Sequence, residues 1–257
     1  MLIKIPILTF LIFGAIYPLS FWISHRDPLG HQFHKFHLGI ANLTAGMAVI
    51  SLFFLEVSST TKLFLSVWGI LLLSVTRFYW RKEFADPCVL TIPSLVGMVA
   101  FWQVQAEWIS PHMDVTIMSI LGGLILCASI FAMNLGHFYL NVHGLPINHL
   151  QKAVHVFGVA LLVRAVLDVY FLMTSQVVYL GDAIPLYLFF QRLDGFLIVI
   201  ALLFGTFFPL FSLIFVYGAL QVKSTQSATG ILYAILCAVI IGDVAYKYYL
   251  LKFGIVL

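Results

Sequence analysis

Two adjacent apolar segments each hold an arginine and an aspartate. VFGVALLVRAVLDVYFLM carries Arg164 and Asp168, and LYLFFQRLDGFLIVIALL carries Arg192 and Asp194. An unpaired charge of this kind costs roughly 2.5–3.5 kcal/mol in lipid by insertion scales. The four must compensate one another or be met by water or a ligand. Arg164 and Asp168 are four residues apart and share a helix face, as do Asp243 and Lys247. Arg192 and Asp194 are two apart, so on a helix they point about 160° away from each other. Counted along helices, all six charges fall in one half of the bilayer, and Gln103, Gln105 and Glu107 end the fourth helix in the same slab. Arginines placed this way can hold an anionic group such as a haem propionate, a carboxylate or a phosphate, and carboxylates can relay protons. Interhelical salt bridges that only fix packing would use the same residues. Three acids balance three bases, which argues against a strongly anionic ligand.

Histidines supply a second chemistry. Eight of the nine fall in two short windows, one with His25, His31, His34 and His37, the other with His137, His143, His149 and His155. His137 lies inside an apolar span, and Asn134 and Asn141 make a polar stripe with it at i−3 and i+4. Two histidines on different helices at like depth can ligate haem b axially, and His137 with His155 or His37 fits that pattern. Clustered imidazoles such as His31, His34, His37 and His137 can alternatively hold iron, copper or zinc. Histidines hydrogen-bonded to carbonyls, phosphates and water at a membrane surface would need neither.

These residues must be positioned by membrane helices. Apolar residues make up 62% of the chain and charged residues 9%, against about 25% charged in soluble domains. Windows of roughly 20 apolar residues recur throughout. The sequence predicts an all-α integral membrane protein, a polytopic bundle of about eight transmembrane helices. It forms one domain over residues 1–257, with no sizeable soluble part. The spans are expected near 2–22, 37–56, 62–80, 88–108, 114–140, 148–174, 184–220 and 228–251. Pro209 should kink the seventh. Asp27-Pro28, Asp86-Pro87, Ser110-Pro111, Gly144-Leu145-Pro146 and Gly181-Asp182 mark turns. The N-terminal run reads as a retained helix rather than a cleaved signal. Loops 1–2, 3–4, 5–6 and 7–8 carry most of the basic residues. The positive-inside rule therefore puts both termini outside, and a bacterial inner membrane suits the short loops.

Several chemistries find no support. Cys88, Cys127 and Cys237 are scattered, without CxxC or CxxCH. No basic patch suits nucleic acid. The polar run Lys223–Gly230 can cap the last helix but has no P-loop pattern, and GxSxG and HExxH are absent. No internal repeat is visible.

The leading expectation is a membrane redox protein that binds haem b, with a quinone as partner. The alternatives are a proton-coupled transporter built on the charged residues, and an accessory subunit of a larger membrane complex.

Overall fold

The computed structural model describes residues 1–24, 29, 33–142 and 145–257. Among them, eight helical segments are long and apolar enough to cross a membrane: Lys4–Ser24, Phe33–Phe53, Ser59–Tyr79, Pro87–Trp108, Met113–Asn141, Asn148–Thr174, Leu193–Gln221 and Thr225–Phe253. The chain is a predominantly helical, multi-pass integral membrane protein. His25, His31 and His143 lie outside the described residues. Contacts divide the chain into two compact units, Leu2–Thr116 and Ile117–Leu257.

The first unit contains α1 (Lys4–Ile16), α2 (Phe33–Phe53), α3 (Ser59–Tyr79) and α4 (Pro87–Trp108). Helix α1 tightens into a 3₁₀ segment over Tyr17–Ser24, where Pro18 lacks the amide that would bond the Gly14 carbonyl. Small residues bring α1 close to α2, because a Cβ on Gly14 would sit 3.0 Å from the Ala45 Cβ. Gly97 of α4 lies directly against the Trp68 indole, which is fully buried. Helix starts follow local chemistry. The Ser58 hydroxyl accepts from the Thr61 amide at 3.1 Å, and Asp86 accepts from the Cys88 amide at 2.9 Å with Pro87 at the first helical position.

The second unit contains most of α5 (Met113–Asn141), then α6 (Asn148–Thr174) and a β-hairpin of β1 (Gln176–Tyr179) and β2 (Asp182–Pro185). Short α7 (Leu186–Phe189), α8 (Phe196–Leu202), a π-helical turn over Leu203–Phe207, α9 (Phe208–Gln221) and α10 (Thr225–Phe253) follow. The seventh span therefore departs from the expected continuous helix over 184–220. Leu180 and Gly181 adopt φ of 56° and 96°, the left-handed pair that closes a two-residue hairpin. That turns residues 176–185 into paired strands. Arg192 is then extended, and Gly195 passes so close to Phe189 that a Cβ on it would lie 2.0 Å from the Phe189 carbonyl oxygen. The membrane helix begins only after this crossover.

The expected distortion near Pro209 takes the form of the π-helical turn just before it. Proline has no amide to give residue 205 and its ring crowds that carbonyl, so the ladder re-registers upstream. Across from this turn, Gly205 and Gly242 let two backbones touch, with the position of a Gly242 Cβ only 2.1 Å from the Gly205 Cα. This approach requires glycine at position 242, while at 205 a Cβ would first meet the Tyr246 ring, at 2.4 Å.

Candidate functional site

Helix α6 delivers Arg164 and Asp168 to the same interior face of the second unit. Arg164 is 2% exposed and Asp168 is fully buried. Arg164 Nε donates to Asp168 Oδ1 at 2.9 Å. Its Nη1 donates to the Met118 carbonyl of α5 at 3.1 Å, and its Nη2 donates to the main-chain oxygen of Leu257. The guanidinium also lies 4.0 Å from the Tyr246 ring centre, the stacking expected of a cation on an aromatic face. The other carboxylate oxygen, Asp168 Oδ2, accepts from Thr206 Oγ1 and Tyr246 Oη, each at 2.7 Å. Thr206 Oγ1 and Tyr246 Oη lie 2.9 Å apart, so their two hydroxyl protons serve three close oxygen contacts.

The π-helical turn explains how Thr206 gets there. A widened turn shifts every following side chain around the axis and leaves carbonyls free of the regular ladder. It directs Thr206 at Asp168 while Gly205 leaves room for the Tyr246 ring, which a Cβ would meet at 2.4 Å.

The second ion pair is adjacent. Lys247 Nζ bonds Asp243 Oδ1 along α10, and both residues are 8% exposed. A Cβ on Gly122 of α5 would lie 3.3 Å from Arg164 Nη1 and 3.8 Å from Asp243 Oδ1. One glycine thus separates the two pairs, and four charges form a single neutral cluster. Cys127, buried five residues further along α5, interacts electrostatically with Asp243 and Lys247.

Arg192 and Asp194 do not join the cluster. Both are exposed in the crossover. Asp194 Oδ2 accepts from the Tyr179 phenol of the hairpin at 2.9 Å, and Lys252 Nζ stands 3.6 Å from its other oxygen. The Tyr249 hydroxyl donates to the Asp194 backbone carbonyl. The Asp194 bond pushes the Tyr179 phenol above the usual tyrosine range. In the first unit, Gln105 is buried and donates to the Thr116 hydroxyl at 2.8 Å, and Glu107 caps α3 through Ser58 and Thr61. Gln103 is half-buried.

The histidines divide between the units. His37 is buried against Phe21, Phe33 and Phe36, with the Tyr17 hydroxyl 2.7 Å from Nδ1. His34 is buried, and its Nε2 donates to the Tyr79 carbonyl at 3.1 Å. Both belong to the first unit. His137 and His155 belong to the second and are exposed. His137 Nδ1 lies 3.4 Å from the Tyr233 hydroxyl, and His155 Nδ1 donates to the Gln151 carbonyl at 2.7 Å. Asn141 donates to the His137 carbonyl at 3.2 Å, and Asn134 is half-buried on the same helix. His149 is buried near the start of α6. Among the described residues, no three of His, Cys, Asp and Glu converge as a metal centre would require, and His31 falls outside them.

Thr206, Tyr246, Gly122 and the main-chain oxygen of Leu257 escaped the sequence reading. Thr206 is a single hydroxyl in an apolar run, and Tyr246 is one of three tyrosines beside Lys247. Their only signal is proximity to residues already marked: Tyr246 follows Asp243 by three positions, and Thr206 precedes Pro209 by three.

Comparison of the chain with protein-family models, curated proteins and solved structures found no match. The class is therefore set by the fold and the site: a polytopic helical membrane protein with a buried, charge-balanced ion-pair cluster.

Proposed function

We propose that the protein is a proton-coupled membrane transporter whose working site is the cluster of Arg164, Asp168, Asp243 and Lys247. The observation that carries this reading is the joining of two ion pairs around Gly122, one of them seated on a π-helical turn. Packing alone is a poor reason for such a cluster. Replacing a buried ion pair by apolar side chains of like volume is often neutral or stabilising, whereas ionisable groups inside membrane bundles mark ion and substrate paths.

The roles divide by geometry. Asp168 is committed to donors from three elements, Arg164, Thr206 and Tyr246, so it anchors the guanidinium. Asp243 and Lys247 form the proton-handling pair, because transfer from the ammonium to the carboxylate leaves two neutral groups and no change in net charge. The turn at Leu203–Phe207 is the flexible element. Its rearrangement breaks the Thr206 bond and couples the cluster to movement of α8 against α9. Exchange with the outer half of the bilayer follows from both termini lying outside, in a bacterial inner membrane.

Infrared difference spectra taken across a pH change test the assignment. Wild type should show a carboxyl carbonyl band that is absent from the variant carrying both Asp243→Leu and Lys247→Leu, which removes the pair without stranding a charge. An unchanged band in that variant would assign proton exchange elsewhere.

A second reading, haem b binding with electron transfer to a quinone, rests on His137 and His155. In both rings Nδ1 faces a hydrogen-bond partner, Tyr233 Oη and the Gln151 carbonyl, which is the arrangement that orients Nε2 towards a metal. Haem would supply one-electron chemistry there, and these two histidines would hold it. A Soret band in protein purified with haem supplied, lost in His137→Ala, supports this reading; its absence removes it.

A further inference from the structure

The β1–β2 hairpin is dressed unlike one that faces water. Its register pairs Val177 with Ile184 and Val178 with Ala183. Paired residues share a face, and neighbours along a strand alternate between faces. Val177 is buried in an apolar cluster with Phe189, Ile198 and Tyr249, and Ile184 packs against the same cluster. Val178 and Ala183 therefore fall on the opposite face, where both are exposed. A hairpin with one face on a core and the other in water carries polar residues on the second. Here the second face is apolar, and Val178 is 71% exposed. The tip is apolar as well. Leu180 is 89% exposed and adopts φ 56°, at a turn position that asparagine, aspartate or glycine fills at lower cost. Neither the turn nor packing within the chain asks for leucine there.

Continuity and depth name what covers this face. Exposed apolar side chains lead up to the hairpin along α6, at Val166, Val169 and Met173. They lead away from it at Leu193, which is 93% exposed, and at Phe196, where the seventh span begins. Apolar side chains exposed on membrane-spanning helices face acyl chains, so the outer face of the hairpin continues a lipid surface. Depth follows from the charges beside it. Tyr179 of β1 donates to Asp194 at 2.9 Å, and Lys252 Nζ stands 3.6 Å from the same carboxylate and 5.4 Å from the Tyr248 ring centre. Lys252 is one residue from the end of α10 at Phe253. Lysine and tyrosine gathered at the end of a span mark the headgroup level. Arg192 is exposed beside them, and its guanidinium makes no ion pair with a described residue, which suits a lipid phosphate.

We propose that the hairpin is a membrane-surface anchor whose partner is the phospholipid bilayer. Val178, Leu180 and Ala183, with Leu193 of the crossover, lie in the boundary between headgroups and acyl chains, and Arg192 lies at the level of the phosphates. Apolar side chains at that boundary together with a cation at headgroup level are the combination that holds interfacial segments on bilayers. The anchor has a structural consequence. Tyr179 is bonded to Asp194 of the crossover, so lipid contact at the tip holds the segment from which the seventh span starts. The anchor is independent of the Asp243–Lys247 pair and of transport.

Nitroxide labels read this depth in the full chain in phosphatidylcholine nanodiscs. Cys88→Ser and Cys237→Ser remove the exposed thiols, and Cys127 is fully buried. Labels are then placed singly at Leu180→Cys and Leu193→Cys. Val166→Cys within α6 sets the lipid limit, and Glu83→Cys in the loop between α3 and α4 sets the water limit. All four positions are exposed, so the labels displace no core side chain. Power saturation compares collisions with oxygen, which concentrates among acyl chains, and with a nickel chelate, which stays in water. At 180 and 193 the oxygen-to-nickel ratio should shift away from the Glu83 value towards that of Val166. A ratio equal to that of Glu83 would put the hairpin in water and overturn the anchor. Weak collision with both reagents would overturn it too, since that marks a face covered by protein, such as a second copy of the chain.

Discussion

Thr206 donates to Asp168 from inside a π-helical turn, at 2.7 Å. The bond ties the π-helical turn of the seventh span to the anchor of the buried arginine. Thr206→Val removes a donor and leaves the Asp168 oxygen with Tyr246 alone. Losing one bond to a buried charged group should cost about 1.5–3 kcal/mol. Thermal unfolding in detergent should show the loss, and Tyr246→Phe should show a comparable one. The double variant should cost less than the sum, because the two hydroxyls share one acceptor, Asp168 Oδ2, and lie 2.9 Å from each other.

The glycine crossing gives a sharper contrast. Gly242→Ala would drive a methyl to 2.1 Å from the Gly205 Cα, so α10 must move away from the π-turn. The expected result is about 1–3 kcal/mol of destabilisation, as for other overpacked contacts. Gly230→Ala, in the same helix with nothing within 4 Å of the new methyl, should stabilise by roughly 0.5–1 kcal/mol instead. Melting temperatures of the two variants should move in opposite directions.

Removing one partner of the second pair should hurt more than removing both. Asp243→Leu strands Lys247 and should cost about 3–5 kcal/mol. Asp243→Leu with Lys247→Leu should unfold close to wild type, which makes it the suitable variant for functional assays. A double variant as unstable as the single one would mean that the pair is structural.

Alkaline pH should release the hairpin. The Asp194 carboxylate raises the Tyr179 phenol, favouring its neutral form in the folded state. A raised acid adds stability at pH values below the ordinary tyrosine value of about 10, and the contribution disappears as pH rises through the folded value. Ultraviolet titration of wild type minus Tyr179→Phe should show one phenolate forming late. A difference titrating at the ordinary value would show that the Asp194 contact does not persist in solution.

The sequence carried much of this fold. Runs of apolar residues placed all eight spans, and the i, i+4 spacing brought Arg164 to Asp168 and Lys247 to Asp243. Both rules depend on nearest neighbours along one helix. The failure at Arg192 and Asp194 has the same origin. LYLFFQRLDGFLIVIALL is apolar enough for a continuous helix, and the break comes from a hairpin upstream and from Gly195 passing Phe189, which are contacts that hydropathy does not register. Thr206 and Tyr246 were illegible for a related reason. Which face a hydroxyl presents depends on the π-turn, and one added residue per turn rotates everything beyond it. The histidine windows were visible by composition, yet composition does not separate the buried His37 from the exposed His137 and His155.

The central claim is that a proton enters the membrane interior at Asp243–Lys247. A pH jump applied to proteoliposomes adsorbed on a solid-supported membrane measures that displacement of charge directly. Wild type should give a transient current that exceeds that of empty liposomes and disappears in Asp243→Leu/Lys247→Leu. The same current in the double variant, or none in wild type, would contradict the account.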